Sequence, residues 1–150
     1  MTKDVLVFVQ GMQFLEMAAE PEEPIEILTP GTYYYRNGCH YIKYEEVIEG
    51  IAGTVSSMVK IRNKSIEVRK RGSANLHMIF EKDKKNITYY DTPFGKIQLG
   101  VFTTGVRIEE QENLIELEVD YSLDMNDNYV ADCCLKMKIQ GKPERCPETL

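Results

Sequence analysis

Apolar and polar residues alternate with a period of two along most of the chain, and the last third shows this most plainly. Ile115, Leu117, Val119, Tyr121 and Leu123 fall on one side, and Glu116, Glu118, Asp120, Ser122 and Asp124 on the other. This is the pattern of a strand with one dry and one wet face. After the turn-forming residues Asp124–Asn128 it resumes, with Tyr129, Ala131, Cys133, Leu135, Met137 and Ile139 set against Val130, Asp132, Cys134, Lys136, Lys138 and Gln140. Each strand is about 30 Å or more in length at roughly 3.3 Å per residue. Long antiparallel strands with one dry face suit a closed barrel, which also removes exposed edges. Charge selects the register of this pair. With Ser122 opposite Asp132, Glu118 meets Lys136 and Glu116 meets Lys138, whereas the neighbouring register sets Asp120 against Asp132. Opposed charges contribute only a few tenths of a kcal/mol to about 1 kcal/mol each, enough to choose between registers.

The same grammar runs through the rest of the chain. Val5–Val9 predicts a strand with a possible bulge at Gly11, and Met12–Ala19 is the only helix-like stretch, closed off by Pro21 and Pro24. Ile25–Leu28 and Thr32–Arg36 read as strands separated at Pro30-Gly31, and Asn37-Gly38 as a two-residue hairpin turn into Cys39–Ile48. Val55, Ser57, Val59 and Ile61 alternate next, and Asn63-Lys64 turns the chain into Ser65–Lys70. Leu76, Met78 and Phe80 form another inner row, and Asn86–Asp91 another strand. Thr92-Pro93-Phe94-Gly95 has the residues of a type I turn. Ile97, Leu99, Val101 and Thr103 follow, then Val106–Glu110. The expectation is an all-β chain: a single antiparallel closed barrel of eight to ten strands over residues 1–140, with at most one short helix and a frayed tail over 141–150.

Composition narrows the function classes. The chain has 150 residues with 24 acids against 18 bases, a net charge of −6, and 43% hydrophobic residues. One core of this size is ordinary, and the negative charge argues against DNA and against general RNA binding. No apolar run approaches the roughly 20 residues of a membrane helix, and Met1–Gln10 lacks the pattern of a signal peptide. These features predict a cytoplasmic protein. Cys39, Cys133, Cys134 and Cys146 are too few for a disulfide scaffold, and the adjacent pair Cys133 and Cys134 points to opposite faces of a strand. With only His40 and His77 besides, no metal-ligand spacing occurs, and no metal or cofactor is expected.

Several segments carry a resemblance. Gly31-Thr32-Tyr33-Tyr34-Tyr35, Tyr41-Ile42-Lys43-Tyr44-Glu45-Glu46, Val59-Lys60-Ile61, Gly72 and Tyr90-Asp91-Thr92-Pro93-Phe94-Gly95, with Thr103 and the Tyr121 strand, stand in an order and spacing similar to the YwiB-like family. These are small bacterial proteins, and the resemblance covers nearly the whole chain. It implies a lipocalin-like (calycin) β-barrel and carries no assigned activity with it. One departure is that the family's Arg-x-Gly appears here as Lys70-Arg71-Gly72. Lys70 then holds the basic position without the bidentate fork of Arg.

Three groups carry candidate chemistry. Ile42, Tyr44 and Glu46 share one face of their strand, and Lys70 shares the face of Ile66 and Val68. Tyr44, Glu46 and Lys70 would form a polar anchor inside an apolar barrel, against the alternative that strand ends carry Glu46 and Lys70 into solvent. The segment Lys60–Arg71 holds six bases against one acid and includes Lys60 and Arg71, a local reversal of the overall charge. It contains no aromatic ring for stacking on nucleic acid, so it also describes a solvated hairpin. Nine tyrosines, Tyr90 among them, suit a ligand cavity as well as ordinary strands. Asp124-x-Asn126-x-Asn128 begins like a calcium loop, but Tyr129 stands at its sixth position and Leu135 at its twelfth, so it is a turn. No nucleophile and base share a recognisable motif, and no catalytic residue is assigned. The leading expectation is a barrel that binds a small amphipathic or anionic molecule through Tyr44, Glu46, Lys60, Lys70, Arg71 and Tyr90. The alternative is an interaction protein or homodimer with a sealed core that uses the basic hairpin 60–71. An enzyme with a Tyr/Glu/Lys site at the barrel mouth ranks third.

Overall fold

The computed structural model describes residues 3–11, 26–47, 54–72, 75–92 and 95–142. The predicted helix Met12–Ala19, the turn centred on Pro93-Phe94 and the tail beyond Lys142 lie outside these residues. Strands make up almost everything described: β1 (Asp4–Gln10), β2 (Glu26–Arg36), β3 (Cys39–Val47), β4 (Thr54–Arg62), β5 (Ser65–Gly72), β6 (Leu76–Phe80), β7 (Lys85–Thr92), β8 (Gly95–Gln111), β9 (Leu114–Met125) and β10 (Asn128–Gly141). No helix occurs among the described residues. All ten strands form one sheet in the order β6-β5-β4-β3-β2-β1-β10-β9-β8-β7, and every adjacent pair is antiparallel.

The sheet's two outer strands, β6 and β7, are consecutive in the chain and lie side by side, so the ribbon curls back on itself. No ladder joins them. The seam is held by Asn86 Nδ2 donating to the Ile79 carbonyl at 3.1 Å and by the 81–84 turn bonding to the backbone of Thr103 at 2.8 and 3.2 Å. The barrel is therefore nearly closed rather than closed. Inside it, Val5, Val7, Ile42, Val59, Ile66, Val68, Phe80, Val119, Leu135 and Ile139 are fully buried. The Phe80 and Tyr121 rings meet 4.9 Å apart across the interior.

The β9–β10 ladder has the register that charge selects: Ser122 faces Asp132, Glu118 faces Lys136 and Glu116 faces Lys138. Asp120 faces Cys134, and Ser122 Oγ donates to Asp132 at 2.8 Å. Three local expectations are corrected. Pro30-Gly31 does not break a strand, because β2 is continuous. Its Gly31 lies where a side chain would strike the Lys43 carbonyl at 2.6 Å, so glycine here admits a neighbouring strand rather than a turn. Thr103 and Val106 belong to one strand, with a bulge between Thr103 and Gly105. A second bulge, between Tyr129 and Ala131, moves Tyr129 from the expected inner row to the surface, where it is 64% exposed.

The two ends of the barrel differ. At one end the turns are tight: Asn37-Gly38, with φ of 54° and 78°, is the expected hairpin, and Asn63, Asp83 and Asn113 also take positive φ. At the other end the connections 11–25, 48–53, 73–75 and 93–94 join the strands, together with the turn at Asn126-Asp127. The inward polar residues lie towards this second end.

Truncating the packed inner face should be costly and the outer face nearly neutral. Leu135→Ala should lower the unfolding free energy by about 2–5 kcal/mol in urea titration, and Lys136→Ala on the opposite face by no more than about 0.5 kcal/mol. Similar losses for both would contradict this inside–outside assignment.

Candidate functional site

Among the described residues, four polar or charged ones are buried in the otherwise apolar interior: Glu46, Ser57, Lys70 and Thr103. Three of them form one group with Tyr44. On adjacent strands Tyr44 (β3) faces Ser57 (β4), and Ser57 faces Lys70 (β5), while Glu46 sits one inward position beyond Tyr44. Lys70 reaches across β4 and donates to both oxygens of Glu46, at 2.8 and 2.9 Å. Both side chains are at most 10% exposed. Tyr44 Oη and Ser57 Oγ lie beside this pair and are fully buried; neither makes a hydrogen bond of good geometry, although Ser57 and Glu46 both lie near enough to act on the Tyr44 phenol. Burial, and then the Glu46 carboxylate, pushes the Tyr44 phenol far above its ordinary range, so it is a neutral hydroxyl.

Alternation explains this placement. Tyr44 and Glu46 share parity with buried Ile42, Ser57 with Val55 and Val59, and Lys70 with Ile66 and Val68. Leu76, opposite Lys70, continues the wall on β6, and Tyr90 is buried on β7 at the same end of the barrel. The structure thus brings Tyr44, Glu46 and Lys70 together and puts Tyr90 on the inner wall. Lys60 and Arg71 do not join them. Each sits one residue out of phase, Lys60 between the buried Val59 and Ile61 and Arg71 beside Lys70, so both project from the outer face. Ser57 was legible only as a hydroxyl interrupting the apolar row Val55, Val59, Ile61. Thr103, whose buried Oγ1 also lacks a partner, lies opposite Tyr121 on the far wall.

Other titratable clusters have different roles. Near the tight-turn end, Tyr33 Oη lies 2.8 Å from His40 Nδ1, and His40 Nε2 lies 2.5 Å from Glu110 Oε2. This chain links β2, β3 and β8 across that end. The Tyr33 hydroxyl is raised by burial first and by Glu110 second, the opposite of an activated nucleophile. On the outer face Glu118, Asp120 and Cys134 bring their donor atoms within 4.8 Å of one another. Burial and then Asp120 push the Cys134 thiol up to about 11, which holds the metal-free thiol protonated near neutral pH. Cys134 Sγ donates toward Glu118 at 3.7 Å.

The buried phenols set an alkaline limit on stability. Tyr44 and Tyr121 have folded-state pKa values raised above the ordinary 10.0, chiefly by burial. Their contribution is fully present below that value and is lost as the pH rises past it, because only the unfolded chain then ionises them freely. Urea stability should fall progressively above pH 10.0, and Tyr44→Phe should flatten that fall. A phenolate absorbance that titrates completely before the circular dichroism changes would show these rings to be accessible.

Comparison with known proteins agrees with this architecture. Over 106 residues, 71% of this chain and 73% of the relative, the sequence is 26% identical to "Uncharacterized beta-barrel protein YwiB" of Bacillus subtilis (strain 168). The crystal structure of the ywiB protein from Bacillus subtilis superposes with a TM-score of 0.76 at 21% identity, covering 94% of this chain and 93% of that one, which establishes the shared fold. The family model for the domain of unknown function DUF1934 matches residues 10–137, and the chain belongs to that family.

Proposed function

We propose that the barrel binds a small amphipathic molecule, its polar end on Tyr44 and Ser57 and its apolar body against the inner wall towards Leu76 and Tyr90. The observation that carries this reading is the pair of buried hydroxyls, Tyr44 Oη and Ser57 Oγ, whose hydrogen bonding falls short of good geometry beside an already satisfied ion pair. An unmade hydrogen bond on a buried group costs about 1–3 kcal/mol. A ligand group that donates to one hydroxyl and accepts from the other recovers part of that cost.

The ion pair supports the same reading. A buried pair is a poor source of stability, because desolvation offsets most of its attraction and apolar residues of similar volume do as well. Its value here is positional: Lys70 fixes Glu46, and both hold the polar floor on which the hydroxyls stand. It also selects the ligand. Lys70 is neutralised by Glu46, and the Glu46 carboxylate borders Tyr44, so an anionic head would meet like charge. A neutral hydroxyl, amide or protonated carboxylic acid fits.

Native mass spectrometry of protein purified from its own host tests this directly. The wild type should carry a non-covalent adduct that Tyr44→Phe/Ser57→Ala loses while staying folded. A wild type without adduct, or an adduct indifferent to both substitutions, rejects the reading. The ion pair has a separate test. Lys70→Met alone should destabilise by about 3–5 kcal/mol, while Glu46→Leu/Lys70→Met should fold with stability near the wild type's. A double variant as unstable as the single one would make the pair a structural necessity.

A further inference from the structure

The strands that carry the interior group also build an outer face of opposite character. There Tyr34 of β2 and Tyr41 of β3 stack, with ring centroids 4.8 Å apart and planes within 9°. Lys60 Nζ lies 5.7 Å from the Tyr41 ring and Lys43 Nζ 5.6 Å from the Tyr34 ring. Beside Tyr34 opens a groove of about 660 Å³ lined by Lys3, Thr32, Tyr33, Tyr34, Tyr35 and Lys43. On the other side, Lys60 forms part of a second open groove of about 530 Å³, shared with Arg62, Lys64, Lys82 and Lys84. Lys60 and Tyr41 join the two grooves into one track.

The bases of this track are unspent. Among the described residues, Lys85 and Arg107 elsewhere on the surface pair with Asp124 and Glu118, and Arg69 beside the track pairs with Glu67, but Lys43, Lys60, Arg62 and Lys64 form no ion pair with a carboxylate. Two acids line the second groove: Glu67, which faces Lys60 across the β4–β5 ladder and bonds His77 at 2.5 Å, and Glu81, so the groove carries five bases against two acids. On a chain of net charge −6 this is a concentrated positive strip, with two stacked rings in it and a third, Tyr35, 60% exposed at its end.

We propose that this outer face binds single-stranded nucleic acid, with a base stacking at the open side of Tyr34 and the phosphates following Lys43, Lys60, Arg62 and Lys64. Stacking is available to any unpaired base and needs no reading of base edges, while bases in a duplex are already stacked on one another. The negative charge of the rest of the barrel confines the strand to this strip and makes binding strongly salt-dependent. The proposal is independent of the interior ligand, since the residues it uses alternate with the inward ones.

Fluorescence anisotropy with a labelled oligouridylate of about twelve nucleotides, within the site sizes of single-strand binders, and with oligothymidylate and a duplex of equal length, gives the test. The full chain should bind both single strands at low salt and the duplex much more weakly. Tyr34→Ala should weaken binding about tenfold while the chain stays folded, losing only the small stability of its stack on Tyr41. Lys60→Glu should weaken it further and make the dependence on log salt shallower by about 0.7. No binding, equal binding of the duplex, or sensitivity to Lys60→Glu with indifference to Tyr34→Ala overturns the proposal; the last result would describe a charged surface without stacking.

Discussion

Period-two alternation in a sheet that curls on itself is the constraint from which the other properties follow. In such a ribbon each side chain faces either the packed lumen or water, and a slip of one residue exchanges the two sets. The inner set here is almost wholly aliphatic and aromatic, so any polar group on inner parity must find a partner or stand without one. Lys70 and Glu46 find each other across β4. Tyr44, Ser57 and Thr103 make no hydrogen bond of good geometry, and they become conspicuous for that reason.

The same alternation lets three neighbouring strands serve two surfaces with independent chemistry. On β3 the inward residues are Ile42, Tyr44 and Glu46 and the outward ones Tyr41, Lys43 and Glu45; on β4 Ser57 points inward between Met58 and Ser56. A substitution on one surface leaves the packing of the other in place, provided the strand's backbone does not shift. The ends of the barrel separate as well. Tight turns and the Tyr33–His40–Glu110 chain occupy one end, and the polar group lies towards the other.

Where local patterns misled, the cause was a residue whose role depends on a neighbouring strand. Pro30-Gly31 has the composition of a turn, but Gly31 is there so that β3 can approach β2, and proline is tolerated within the strand. Tyr129 continues an inner row on paper, and a bulge rotates it outward. Lys60 and Arg71 were grouped with the anchor because they are basic and near it in sequence, although their parity places them on the far side of the sheet.

The sequence alone determined most of the strands, the dry and wet faces, the β9–β10 register and the parity that Tyr44 and Glu46 share with Ile42 and Lys70 with Val68, because alternation and charge pairing are local and cumulative. That Glu46 and Lys70 are buried and do not reach solvent was decided by the tertiary structure. The sequence also indicated the family, through short motifs spread along nearly the whole chain. Only the tertiary structure decided that the ribbon stops short of full closure at β6 and β7, and that Lys70 grips both oxygens of Glu46 over an intervening strand. It alone placed Tyr34 and Tyr41 beside Lys60. A scan of residues 60–71 finds bases without rings, since the rings come from hairpin partners some twenty to thirty positions earlier. Hydrogen bonding between strands converts that separation into adjacency at about 4.8 Å, and linear order carries no trace of it.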